Sequence, residues 1–213
     1  MRIKSIFLSV ICCASLLSGC GRAATGPQLN TLADGTWIGD ERDFVRVADA
    51  TDGSTTMEDF QTGEYVLQPG HEYVFMVTYH NSAEPRSDGV NSVESAVLTV
   101  VFPEIITADG NGEFGAIFTY GDSEAPTFCG DQVALSAEAD IRLELLPAGP
   151  TDTEPPCIVM CSKADGSAYT PLSPLFVRMG DVVMHDIEIS EIAPGYDNAG
   201  YFFYKFKAVE ITE

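Results

Sequence analysis

His71-Glu72-Tyr73-Val74-Phe75-Met76-Val77-Thr78-Tyr79-His80 is the stretch that decides the fold. Read in steps of two, it puts Tyr73, Phe75, Val77 and Tyr79 on one face and Val74, Met76, Thr78 and His80 on the other. An extended chain alternates its side chains in this way, and β-branched and aromatic residues fit the pleated surface. Both faces are largely apolar, which predicts a central strand covered on each side. Gln68-Pro69-Gly70, just upstream, is turn chemistry: proline presets φ and glycine accepts a positive one.

The same reading extends outward in both directions. Phe44 to Val47 and Glu64 to Leu67 are short strand-like runs upstream. Downstream, Ala96 to Phe102 is nearly all apolar and closed by Pro103. Asp109-Gly110-Asn111-Gly112 is a turn cluster feeding Glu113 to Tyr120. Ile141, Leu143 and Leu145 alternate with Arg142 and Glu144, as in a half-buried strand. A proline-rich loop from Gly149 to Pro156 separates these from Ile158 to Cys161, Phe176-Val177, Val182 to Ile189 and Tyr201 to Val209. No segment after residue 20 holds a helical period. Short strands with turn signals between them predict an all-β, antiparallel sandwich of nine or ten strands in one domain over residues 32–213. Its expected core includes Tyr73, Phe75, Val77, Leu98, Val100, Phe118, Ile141, Leu143 and Phe203.

The first twenty residues are of a different kind. Arg2 and Lys4 precede an apolar run from Ile6 to Leu17, too short for the ~20 helical residues that cross a bilayer. Leu17-Ser18-Gly19-Cys20 follows and resembles the lipobox of bacterial lipoproteins. The resemblance implies a signal helix in residues 1–19, cleavage before Cys20 and a diacylglyceryl group on its sulfur. Residues 20–31 then read as the lipidated Cys and a small, polar, flexible tether. The expected location is the extracytoplasmic face of a bacterial membrane, held there through the Cys20 lipid.

Removal of Arg2 and Lys4 leaves nine positive charges against 32 negative ones. Such a field repels nucleic acid. It suits a solvated surface or weak binding of divalent cations. Of six Cys, Cys12 and Cys13 lie in the leader and Cys20 takes the lipid, leaving Cys129, Cys157 and Cys161. Cys157 and Cys161, if extended, lie about 13 Å apart, beyond disulfide reach. The expected bridge therefore joins Cys129 to Cys157 or to Cys161, with Cys157 favoured. A zinc site would need a fourth ligand, and His71, His80 and His185 give no matching spacing.

Several phrases stand together in order: Gly39-Asp40-Glu41-Arg42-Asp43-Phe44-Val45, Leu67-Gln68-Pro69-Gly70-His71-Glu72-Tyr73, Val77-Thr78-Tyr79-His80-Asn81-Ser82-Ala83, Ile192-Ala193-Pro194-Gly195 and Ala199-Gly200-Tyr201-Phe202-Phe203-Tyr204-Lys205-Phe206. Together they resemble an uncharacterised conserved-repeat domain of bacterial cell-envelope proteins, usually placed among the immunoglobulin-like sandwiches. The resemblance covers roughly Trp37 to Lys207. It implies a surface-exposed β module and carries no catalytic residues. Where that family often has Cys after Pro-Gly, this chain has Tyr196.

Candidate chemistry is sparse. Asp40, Glu41 and Asp43 gather hard oxygen ligands that suit a divalent cation, as do Asp109 and Glu113. A full calcium loop around Asp109-Gly110-Asn111-Gly112 lacks its terminal acids, since Thr107 and Phe118 occupy those places, and a β-turn explains the same letters. His80, Asp186 and a serine could be drawn as a triad, but no Gly-x-Ser-x-Gly elbow supports it. Trp37 could stack on a sugar. The expectation is a non-enzymatic module without a cofactor, whose partners are the membrane and an envelope protein or glycan. The alternative is a ligand- or cation-binding lipoprotein of a transport or sensing system.

Overall fold

The computed structural model describes residues 26–33, 39–86, 90–121, 124, 126–146, 159–162 and 176–212, with the backbone alone for residues 159–162, 176 and 190. The leader, Cys20, Trp37 and Cys157 lie outside these residues. The described chain is an all-β sandwich of two six-stranded sheets. The first has β1 (Val45–Asp49), β3 (Glu72–Tyr79), β12 (Gly200–Glu210), β8 (Ile141–Leu146) and β5 (Ile105–Ile106) side by side. β9 (Val159–Ser162) shares the β8 edge of β12. The second sheet runs β10 (Phe176–Met179), β11 (Val182–Ile192), β4 (Val93–Pro103), β6 (Asn111–Tyr120), β7 (Thr127–Ala137) and β2 (Glu64–Leu67). Every pair is antiparallel except β2 with β7.

The deciding stretch behaves as its pattern requires. β3 lies between β1 and β12, and Tyr73, Phe75, Val77 and Tyr79 face the inter-sheet core. There Phe75 stacks on Phe114 at 4.4 Å between ring centres and meets Phe206 edge-on at 5.5 Å. Phe102 meets Phe206 at 4.9 Å, and Phe44 meets Phe118 at 5.6 Å. Aromatic pairs of this kind add ~0.5–1.5 kcal/mol beyond the area they bury. They fill the space between the sheets.

Four expectations need correction. Among the described residues the strands number twelve rather than nine or ten, because β5 and β7 carry weak patterns. In β7 the inward positions are Cys129, Asp131, Val133, Leu135 and Ala137, so a carboxylate interrupts the apolar alternation. Phe203 belongs to the outer face of the first sheet: it pairs with Met76, while Phe202, Tyr204 and Phe206 point into the core. Both faces of β12 are aromatic, so the pattern alone left its phase open. The outward set packs with Phe60 and Ala48 under the segment that crosses from β1 to β2, and Gln61 closes the β1 edge through paired backbone bonds to Val47.

The third correction concerns the tether. Residues 26–33 are docked on the sandwich. Leu29 is buried in the core and bridges to Asn81. The Asn30 side chain donates to the Thr78 carbonyl at 3.0 Å and accepts the His80 N–H at 2.7 Å. Ser82 N–H donates to the Gln28 carbonyl at 2.9 Å, and Asn91 Oδ1 accepts Gly26 N–H at 3.2 Å. Small polar composition reads as a tether, but one leucine and two asparagines suffice to fix it. The fourth correction is Cys129, which carries a free thiol on β7, half-buried against the core, instead of the expected bridge. Cys161 lies on β9, in the other sheet.

Candidate functional site

The two ends of the sandwich differ. At the docked end the chain enters β1, β4 and β12 and leaves β3, β6 and β11. Here the first sheet's outer face is covered by the 39–44 segment and the turn at Tyr196–Asn198, and a buried polar cluster results. Pleat alternation turns His80 to that face, directly after β3. Its Nδ1 lies 2.9 Å from both carboxylate oxygens of Glu41. Tyr196 stacks on the imidazole at 4.0 Å and donates its hydroxyl to Glu41 Oε1 at 3.1 Å. Glu41 is fully buried and His80 is 2 % exposed.

The loop is built to turn Glu41 inward. Asp40 takes the Arg42 guanidinium in a two-pronged contact at 2.9 and 2.6 Å. That pairing holds the Asp40 carboxyl below its ordinary range. Arg46 then donates to the carbonyls of Asp43 and Asp40 at 3.0 and 3.1 Å, clamping the loop from behind. Glu41 N–H donates to the Leu32 carbonyl at 2.8 Å. Next to the cluster, buried Asn81 donates to the carbonyls of Asn91 and Ile192 and accepts the N–H of Gln28. One side chain thus ties four segments.

A carboxylate can only accept, so His80 Nδ1 carries the proton in this pair. The carboxylate–imidazole arrangement is that of an oriented base, with Nε2 as its working atom. Among the described residues no group bonds to that Nε2, and Thr78 Oγ1 is likewise without a partner. Asp186, the acid of the drawn triad, accepts from Thr99 on the outer face of the second sheet. The triad is not assembled.

The expected cation ligands do not converge. Asp40 is taken by Arg42, Glu41 faces His80, and Asp43 is exposed on the loop. Asp109 sits at the far end in a turn closed by Gly110 N–H to the Thr107 carbonyl at 2.9 Å, and Glu113 lies on β6. Among the described residues no three His, Cys, Asp or Glu side chains gather as a metal site.

Two further buried groups escaped the sequence reading. His185, 2 % exposed on β11, meets the Tyr204 hydroxyl of β12 at 2.9 Å, linking the sheets. Burial lowers its pKa to about 4 and pushes the Tyr204 phenol well up. Asp131 reaches from β7 to the edge of β1, where it accepts Val45 N–H at 2.7 Å. Burial raises its carboxyl to about 6 against the pull of those backbone bonds. Cys129 beside it is pushed to about 12 by burial and by the Asp131 charge. The far end holds an open cleft of about 370 Å³ between β8 and the second sheet, rimmed by Arg142, Glu144, Arg178 and Glu104. Arg178 pairs with Glu104 at 3.2 Å, so these charges are committed to one another.

No family model, no curated protein and no solved structure matches this chain.

Proposed function

We propose that this chain is a lipid-anchored lipoprotein of the bacterial cell envelope, carrying an immunoglobulin-like sandwich that displays its loops to a protein or glycan. The observation that carries the reading is the leader ending in Leu17-Ser18-Gly19-Cys20, joined almost directly to a filled β domain. The resemblance of the Trp37–Lys207 phrases to envelope modules points the same way. The role is non-enzymatic on this reading: the His80 imidazole is sealed and its polar neighbours tie chain segments together, while the second carboxylate-paired imidazole, His71 with Asp49 at 2.7 Å, lies at the surface of the opposite end. Mass spectrometry of the native protein should find an acylated Cys20 at the N-terminus. Cys20→Ser should move the protein from the membrane to the soluble fraction. An unmodified Cys20, or a chain still beginning at Met1, would sink the anchoring.

A second reading, ligand or cation binding for transport or sensing, draws on the far-end cleft. An anionic ligand there would have to displace Glu104 from Arg178. Melts with and without calcium, or with small dicarboxylates, test it. A ligand at a hundred times its dissociation constant stabilises by ~2.7 kcal/mol, and a shift of that size would favour this reading.

A further inference from the structure

We infer that the sandwich stands end-on at a lipid surface, with its docked end against the headgroups and its far end directed away. The inference rests on the anchoring proposed above and adds the orientation. Its basis is the shortness of the link. Gly26 is already bonded to Asn91, and Leu29 is in the core. Only six steps of chain separate Cys20 from Gly26, at most about 22 Å when fully extended. The long strands β11 and β12 have eleven residues each, about 36 Å at the usual rise. A sandwich longer than its own tether cannot bring its far end to the membrane without lying on its side.

Charge resists that sideways pose. The far end carries exposed Asp109, Glu138, Asp140, Asp181 and Glu210, with Arg142 and Arg178 among them, and remains acidic on balance. Anionic headgroups repel them within a Debye length, about 8–10 Å at physiological salt. The docked end is acidic too, with exposed Asp43, Glu84, Glu94, Glu124, Glu191 and Asp197 beside Arg42 and Arg86, so the short link, which ends there, and not charge, selects this end; Arg22 follows the lipidated Cys in the sequence. The partner at the docked end is therefore a lipid surface. The turns at Gln68–Gly70, Thr107–Gly110 and Gly180–Asp181 become the outward-facing ones.

Energy transfer to a headgroup-bound acceptor tests the orientation. The native acylated protein is placed in phosphatidylcholine–phosphatidylglycerol vesicles, with a donor dye attached through a non-thiol residue at position 84 or at position 181. Transfer from 84 should exceed transfer from 181 several-fold. A Gly-Ser insertion of about twenty residues between Arg22 and Ala23 should erase most of that difference, because a flexible linker frees the domain to tumble. Flotation is scored on the same samples. Protein that does not float overturns the anchoring and this inference together. Protein that floats but transfers equally from both positions, or more from 181, overturns the orientation alone. A difference untouched by the insertion shows that the short link does not set the pose.

Discussion

The two buried histidines are the most instructive comparison in the molecule. His80 and His185 are equally buried, and each lies against a tyrosine. His80 has a carboxylate on its Nδ1 and a ring stacked on its face, and it joins a loop, a strand end and a turn at the docked end. His185 meets the Tyr204 hydroxyl and the edge of its ring, and it joins two sheets inside an aromatic core. Identical side-chain types thus serve a carboxylate-paired lock in one place and a neutral rivet in the other. The difference lies in what arrives beside them: Glu41 is delivered to His80 by a clamped loop, whereas His185 meets the Tyr204 hydroxyl of the facing sheet.

The largest expected effect is at the lock. Glu41→Ala leaves a buried imidazole and a phenol without their acceptor, and should cost about 3–5 kcal/mol in urea unfolding. Pairing Glu41→Leu with His80→Phe should recover much of that loss, because an apolar replacement of both partners avoids the orphaned charge. A loss under about 1 kcal/mol for Glu41→Ala would put the two histidines in one class.

The next effect is on pH. His185 has a folded pKa of about 4, below its unfolded value of 6.5, so its contribution is complete above 6.5 and is lost as pH falls through 4. Asp131 runs the other way: its folded pKa is about 6 against 3.8 unfolded, so its contribution is complete below 3.8 and is lost as pH rises through 6. Each amounts to roughly 3 kcal/mol at most, at ~1.36 kcal/mol per unit. Between pH 4 and 6 they oppose each other. The His185→Phe variant should gain relative stability on acidification, and Asp131→Asn should lose it. Parallel slopes for the parent and both variants would remove the basis for calling His185 a neutral rivet.

Smaller effects separate the two tyrosines. Tyr204→Phe removes the hydroxyl that meets the buried His185 ring nitrogen and should cost about 1–3 kcal/mol. Tyr196→Phe keeps the stacked ring and sits at a half-exposed turn, so about 0.5–1.5 kcal/mol is expected. Denaturant midpoints at constant slope would rank them. The least effect is chemical: with its pKa pushed to about 12, Cys129 should alkylate far more slowly than an exposed thiol at pH 8, and quickly once unfolded. Peptide mapping after a timed pulse reads this out.

What the sequence made legible follows from pattern strength. β3, β4 and β6 announce themselves because their inward faces are continuously apolar, and the Gln68-Pro69-Gly70 turn is where its residues demand, with Gly70 at φ 84°. β7 hid because Asp131 stands where a core strand would carry a hydrophobe; its compensation, a backbone N–H from β1, is a long-range contact that no local window contains. The Glu41–His80–Tyr196 lock was invisible for the same reason. Glu41 looked like one of several loop acids suited to a cation, and only Arg42 and Arg46, by engaging Asp40 and the loop carbonyls, single it out as the one that turns inward. Asp40-Glu41-Arg42, His80-Asn81 and Pro194-Gly195 stand far apart in the sequence, and the fold brings them to one place. Residues 26–33 have a tether's composition and dock all the same, because Leu29 enters the core and Asn30 pairs with the end of β3.

On the anchoring proposed above, that docked segment makes the link to the membrane an extensible one. Pulling on Cys20 loads Gly26 first, and residues 26–33 are held there by an isolated bridge and scattered side-chain bonds, whereas β1 is zipped to β3 over five residue pairs. Tension would therefore peel the segment back as far as Glu41, where the lock with His80 takes the strain. The chain between lipid and fold would lengthen from about 22 Å to about 70 Å with the sandwich intact. Force spectroscopy on the anchored protein should register this as one short release of roughly 50 Å ahead of the main rupture. A membrane-bound module with such a spring absorbs a tug that would otherwise reach its core.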